Sequence, residues 1–264
     1  MSAANISGFS SLPAGIKDFL YYRHCRHFPM LLDLPDKCGG VDKSADIFLL
    51  LVIKSSPVNY ERREVLRKTW AKERSHNGVW IRRIFISGTM DSGFEKKRLN
   101  KLLELEQREY NDILQWDFSD TFYNLTLKQI LFLEWMERNC PKARFLLNGD
   151  DDVFANTDNM VDYLQSLKDN DGSKHLFAGH LIQNVGPIRS SGSKYFIPAQ
   201  AHLPAKPARQ LFFLESPLQS FLLDDYPSPQ PQPQSVTIIT DCVEDKLFTL
   251  PVCLVSAFGF SIDL

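Results

Sequence analysis

The chain of 264 residues is long enough for one large α/β domain or two small ones, and 44% hydrophobic with 12% aromatic residues supplies a buried core. Its 30 Lys and Arg nearly balance 32 Asp and Glu, so no overall field draws nucleic acid or an anionic membrane. Any cationic site therefore has to be local.

The first 45 residues, opening "MSAANISGFSSLPAG", read as a stem-like segment without the basic and apolar regions of a signal peptide. Neither an anchor nor a secretion signal is expected in the chain as it stands. Five cysteines show no CxxC pair and no His at zinc-finger spacing. Cys25 and Cys38 bracket the short loop "CRHFPMLLDLPDKC" and are candidates for a disulfide in an oxidising compartment. The sequons Asn5-Ile6-Ser7 and Asn124-Leu125-Thr126 suit the same compartment, with Asn124 the candidate glycosylation site.

From Asp46 to about Gly179 strands and helices alternate. "IFLLLVI", 47–53, predicts a buried strand, far shorter than the roughly 20 residues that cross a bilayer. "NYERREVLRKTWAKER" predicts a helix with Val65, Leu66, Thr69 and Trp70 on one face, and "VWIRRIFIS" a second strand. A charged helix across 92–109, the strand "DILQWDF" and a helix across 124–138 with Leu127, Ile130, Leu131 and Trp135 follow. The strand "ARFLLN" leads into the acidic run, after which Thr157 is placed to cap a helix sharing Met160, Tyr163, Leu164 and Leu167 on one face. "HLFAGHLI" predicts a further strand. This alternation implies right-handed βαβ units and an α/β fold with a mostly parallel sheet and flanking helices. Nine of the fifteen prolines fall after residue 197, many in "DDYPSPQPQPQ". A Pro-Gln run cannot hold helix or central-sheet hydrogen bonds, so 198–234 reads as linker, with at most a weak strand at "SVTIIT" and an atypical C-terminal part.

The chemistry points to "FLLNGDDDVFANTD". Asp150, Asp151 and Asp152 follow a strand end, where ligands of open parallel sheets gather. Carboxylates so close repel one another unless a hard divalent cation such as Mg²⁺ or Mn²⁺ holds them, and that cation can neutralise a diphosphate. A solvated acidic turn is the plainer alternative. Arg63 and Arg67 lie four apart, on one face near a helix start that favours an anion, or else face solvent. Lys128 can reach the same region, though a single helical Lys is ordinarily surface charge, and Asp117 and Asp120 end a strand equally ambiguously. No Ser has a nucleophile-elbow context, no His has ligand spacing, and there is no Walker-type loop.

Five segments in order, "RREVLRKTW", "FISGT", "ILQWDFSDTFYNLTLKQ", "NCPKARFLLNGDDDVFANTDNM" and "GHLIQNVGPIRSSGSKYFIP", resemble the animal β1,3-glycosyltransferases of glycosyltransferase family 31. The likeness extends over about residues 20–198 and is strongest to the β1,3-N-acetylglucosaminyltransferases, above all the branch that extends core-1 mucin-type O-glycans. It implies an inverting, Mn²⁺-dependent hexosyltransferase of the GT-A fold. Such an enzyme is a type II Golgi membrane protein with its catalytic part on the lumenal side, moving GlcNAc from UDP-GlcNAc to a galactose-terminated glycan in protein O-glycosylation.

Carried over residue by residue, Asp150, Asp151 and Asp152 match the family's DxD motif, with Asp152 the leading metal ligand. Asp150 is the second metal candidate and lies nearer the nucleoside; Asp150 and Asp151 are assigned to the nucleotide sugar. Arg62, Arg63 and Arg67 match the basic donor-binding motif and Lys128 stands in "NLTLK". The donor-binding part is thus expected at 46–198, with a divergent Pro-rich tail at 199–264. The family's Gly-rich acceptor stretch and its acidic base motif have no counterpart after residue 198; Glu244 and Asp245 in "VEDKLF" are a faint echo, with Asp245 the weak candidate for the base. The resemblance also leaves Cys140 without its usual partner. Transfer by this chain is accordingly expected to be impaired, the alternative being a noncatalytic member that pairs with other Golgi glycosyltransferases or is unstable. A metal-dependent hydrolase built on the three Asp residues is a third reading.

Overall fold

A computed structural model of the chain describes residues 27–90 and 93–167 without a break, with shorter stretches on either side. In chain order the elements are β1 (Met30–Leu32), β2 (Ile47–Lys54), α1 (Tyr60–Lys68), β3 (Arg74–His76), β4 (Val79–Thr89), α2 (Gly93–Tyr110) and β5 (Ile113–Ser119). They continue with α3 (Leu125–Asn139), β6 (Phe145–Asp150), α4 (Thr157–Ser166), β7 (Phe177–Gly179), β8 (Leu181–Ile182), β9 (Gln210–Leu211), β10 (Thr237–Ile239) and β11 (Cys253–Val255).

The main sheet runs β1-β5-β4-β2-β6-β11-β7-β10, with β3 beside β4. Strands β5, β4, β2 and β6 are mutually parallel. The central strand β2 shows why. Its apolar run is buried on both faces, as a parallel strand between covering helices must be. Side chains alternate across a strand, so Leu49, Leu51 and Ile53 join one core with Leu66, Trp70, Leu103, Val161 and Leu164 from the α1, α2 and α4 side. Leu50 and Val52 join the other core with Leu131, Phe132, Trp135 and Met136 of α3.

The chain steps outward from β2 to β4 and β5, then returns through α3 to the far side of β2 as β6. This reversal opens a crevice between the carboxyl ends of β2 and β6, and the three aspartates sit there. Backbone register places Lys54 opposite Asp150 across it.

The expected helix over 59–74 stops at Lys68. Thr69 leaves helical geometry at φ −114° and ψ −127°, and Trp70 turns into the core. Residues 74–76 instead pair antiparallel with β4. Asn77 and Gly78, with φ 47° and 78°, make the tight turn that such a hairpin requires. Val65, expected on the buried face, is exposed, and the buried face carries Arg63, Leu66 and Arg67. The cap of α4 is Asn156, whose side chain accepts from the Asn159 amide, while Thr157 lies inside the helix and donates its hydroxyl to the Trp70 carbonyl.

The expected Cys25–Cys38 disulfide does not form, because Cys38 is bonded to Cys140. Both cysteines lie buried in the α3-side core, with Cα atoms 5.5 Å apart, which also gives Cys140 the partner it was expected to lack. The 198–234 stretch read as linker contributes β9, which pairs antiparallel with β8. The strand predicted at 175–182 divides into β7 and β8, which belong to different sheets. Among the described residues, no helix is long and apolar enough to cross a membrane.

Candidate functional site

The three aspartates have the same side chain and different surroundings. Asp151 is buried. Its Oδ2 accepts from Ser55 Oγ at 2.7 Å and Asn59 Nδ2 at 2.8 Å, and its Oδ1 from an Arg62 guanidinium nitrogen at 3.0 Å. All three donors come from the end of β2 and the start of α1, so Asp151 pins the turn after β6 to that junction. Asp150 and Asp152 are left on either side with 49% and 64% of their side chains exposed.

Two cations face the outward carboxylates. Lys54 Nζ lies 3.6 Å from Asp150 and the Arg62 guanidinium 3.8 Å from Asp152, too long for strong hydrogen bonds. The outward carboxylates offer hard oxygen, the donor type that Mg²⁺ and Mn²⁺ prefer. Among the described residues no group of three or more His, Cys, Asp or Glu side chains is arranged to hold a metal by itself.

Arg63 and Arg67 do not face the crevice. Arg63 forks onto Glu106 at 2.9 and 2.7 Å and reaches Ser55 Oγ at 2.9 Å. Arg67 forks onto Asp112 at 2.9 Å, also meets Glu106, and lies over the Tyr110 ring at 4.0 Å. Arg83 completes the cluster from β4 by donating twice to Asp112. Burial works to raise the Asp112 pKa, but Arg67 and Arg83 outweigh it and hold the carboxyl below the usual Asp range. Both α1 arginines, expected at a diphosphate, are engaged by Glu106 and Asp112 in this structure. Four-residue spacing put them on one face, and that face is turned inward onto carboxylates of α2 and the α2–β5 junction.

Lys128 is buried rather than on the surface. It ion-pairs with Asp120 at 2.6 Å, and the same carboxylate accepts from the Gly88 amide at 2.8 Å. Burial pulls its pKa below the ordinary Lys value, and Asp120 opposes that shift. Lys54 also lowers the Lys128 value and Asp151 raises it, both less than burial and Asp120 do. Gly88 is required here, since a Cβ at that position would lie 2.7 Å from the Phe118 carbonyl oxygen. Asp117, within β5, is held by Lys96 at 2.5 Å and by Thr89.

Asn124 closes the turn before α3, its side-chain nitrogen donating to the Ser119 carbonyl at 2.8 Å. Asp245, Glu244 and Asn5 lie outside the described residues. The sequence reading missed Lys54, Ser55, Asn59, Glu106 and Asp112. Lys54 and Ser55 had a usable signal, since they end the most apolar strand at the same edge as the acidic run. A groove of about 700 Å³ beside β1 and α3, lined by Phe28, Met30, Trp116 and Leu131, contains none of the candidate residues.

Comparison with known proteins gives a consistent result. The family described as Galactosyltransferase matches residues 61–212. The human N-acetyllactosaminide β-1,3-N-acetylglucosaminyltransferase 3 is 57% identical over 191 residues, 72% of this chain and 49% of that protein. The human acetylgalactosaminyl-O-glycosyl-glycoprotein β-1,3-N-acetylglucosaminyltransferase is 52% identical over 75% of this chain and 51% of its own length. The mouse UDP-GlcNAc:βGal β-1,3-N-acetylglucosaminyltransferase 7 is 44% identical over 72% and 47%. The chain thus spans about half the length of the curated relatives that it matches.

Proposed function

The chain belongs to the galactosyltransferase family, and on that premise we propose that residues 46–198 form the donor-binding half of a β1,3-N-acetylglucosaminyltransferase that uses UDP-GlcNAc and Mn²⁺. The observation that carries this reading is the division of labour among the three aspartates at the sheet's reversal point. One carboxylate is fully engaged by the protein and the two beside it face outward.

Asp152 and Asp150 would hold the cation. A bound Mn²⁺ supplies positive charge that stabilises the departing diphosphate. Lys54 and Arg62 add positive charge at the two flanks of the same turn. The Lys128–Asp120 pair anchors the Gly88 amide below and keeps the β4 and β5 ends together. The acceptor in this reading is a galactose-terminated O-glycan, and the setting is the lumen of the Golgi, which the buried Cys38–Cys140 disulfide supports.

Inversion in one displacement also needs a carboxylate to take the acceptor's proton. Neither the family's Gly-rich acceptor stretch nor its acidic base motif is found in the sequence after residue 198, so transfer by this chain is impaired in our reading. Calorimetric titration with UDP in the presence of Mn²⁺ tests the donor half. We expect binding that chelation of the metal abolishes and that Asp152→Asn weakens by about 10-fold or more. UDP binding indifferent to both changes would overturn the proposal. Labelled UDP-GlcNAc with a galactose-terminated acceptor tests the rest: the expected result is transfer close to background, and robust turnover contradicts impairment.

A further inference from the structure

Glu106 lies on α2 and touches neither the acidic turn nor the crevice, yet a continuous chain of buried hydrogen bonds joins it to both. Its two carboxylate oxygens take the Arg63 fork at 2.9 and 2.7 Å. That fixes the plane of the guanidinium and aims its remaining terminal nitrogen at Ser55 Oγ, 2.9 Å away, and at the Ser56 carbonyl, 2.7 Å away. Arginine can only donate. The Ser55 oxygen must therefore accept from Arg63, which leaves its single proton for Asp151 Oδ2 at 2.7 Å. Glu106, Arg63, Ser55 and Asp151 are all buried, so water does not compete for any of these bonds.

We propose that Glu106 is a positioning residue for the acidic turn: through Arg63 and Ser55 it fixes the Asp151 carboxylate, and with it the directions in which Asp150 and Asp152 meet a divalent cation. The inference rests on the metal reading above and extends it to a residue 44 positions before the motif. Carboxylates one step removed from a metal site set the orientation of its ligands, and their loss costs roughly 10- to 100-fold in metal affinity. The arrangement also accounts for the inward turn of Arg63. Its charge is balanced by Glu106, and its geometry is transmitted through a hydroxyl.

Titration of the full chain with Mn²⁺ alone, followed by the electron paramagnetic resonance signal of free Mn²⁺, reads this directly. Ser55→Ala cuts the relay at its smallest member and should weaken Mn²⁺ binding by about 10-fold or more. Glu106→Gln should do the same, and Ser55→Ala decides the matter if the Gln variant fails to fold. Leu103→Ala, a core change one turn earlier on α2, is the control. It lowers the melting temperature but leaves the Mn²⁺ affinity of the folded protein unchanged, which separates positioning from general destabilisation. Unchanged affinity in folded Ser55→Ala and Glu106→Gln overturns the inference while leaving the donor-site reading in place. Failure of the unsubstituted chain to bind Mn²⁺ overturns that reading, and this inference with it.

Discussion

Three consecutive aspartates illustrate how little a side chain's identity says without its neighbours. Asp151 accepts hydrogen bonds from Ser55, Asn59 and Arg62, so replacing it by Asn turns one acceptor oxygen into a donor facing donors. A buried hydrogen-bonded charge lost in this way should lower stability by about 2 kcal/mol. Asp152, largely exposed and 3.8 Å from Arg62, should change stability by less than about 0.5 kcal/mol as Asn. Urea unfolding of the two variants side by side checks the contrast; equal losses would contradict the inward and outward assignment. Gly88 gives a second case. A methyl group there would press on the Phe118 carbonyl oxygen at 2.7 Å and on the Asp120 Cβ at 3.0 Å. Gly88→Ala should therefore cost about 1–3 kcal/mol and displace the carboxylate that pairs with Lys128, a shift visible in the Lys128 ammonium resonance. The acidic run was legible in the sequence because carboxylates crowd there directly after an apolar strand. The burial of Lys128 and Arg63 was not, because sequence spacing reports which residues share a face and stays silent on what that face meets.

At the level of elements, α1 is a short helix whose buried face is more cationic than apolar. Arg63 and Arg67 from α1 and Arg83 from β4 converge on Glu106 and Asp112 of the neighbouring α2–β5 segment. Such a cluster adds little over apolar packing, yet removing one member leaves a charge buried without its partner, at about 3–5 kcal/mol. It also makes stability depend on acid. Arg67 and Arg83 keep the Asp112 carboxyl below its ordinary value of 3.8, so the folded state binds a proton less readily than the unfolded chain. The stabilisation is then fully present above about pH 4 and is lost as pH falls through the folded-state value. Urea midpoints measured between pH 5 and 2 should drop, and Asp112→Asn should start lower and show a shallower decline. Equal slopes would remove Asp112 from the account. The β2, β4, β5 and β6 strands and their helices were readable from alternation of apolar and charged stretches. The β3–β4 hairpin was hidden because "WAKERSH" continues the polar texture of α1, while its signal, Asn77-Gly78, requires attention to turn conformation.

For the whole molecule, the Cys38–Cys140 bond ties the segment before β2 to the end of α3, across a separation of 102 residues. Both sulfurs sit in the α3-side core beside Leu34, Trp135 and Leu146, so the link closes that core against the sheet. Closing a loop of that length removes unfolded-state freedom worth up to about 4–5 kcal/mol in a chain-entropy account. That is a large share of the 5–15 kcal/mol (~10) by which domains are stable. Cys140→Ala should therefore lower the urea midpoint strongly, and reduction of the unsubstituted chain should bring its midpoint close to that of the variant. Further reduction of the variant should leave the Cys38–Cys140 contribution with nothing more to lose. Peptide mapping without reductant supplies the independent check, since a cross-linked peptide joining Cys38 to Cys140 is expected. A Cys25–Cys38 peptide in its place would show that the α3-side core closes differently. If the cross-link is confirmed and the midpoint does not move on reduction, packing by Trp135 and its neighbours alone holds α3 to the sheet. Lys128, carried on that same helix, would then keep its ion pair with Asp120 in reducing conditions as well.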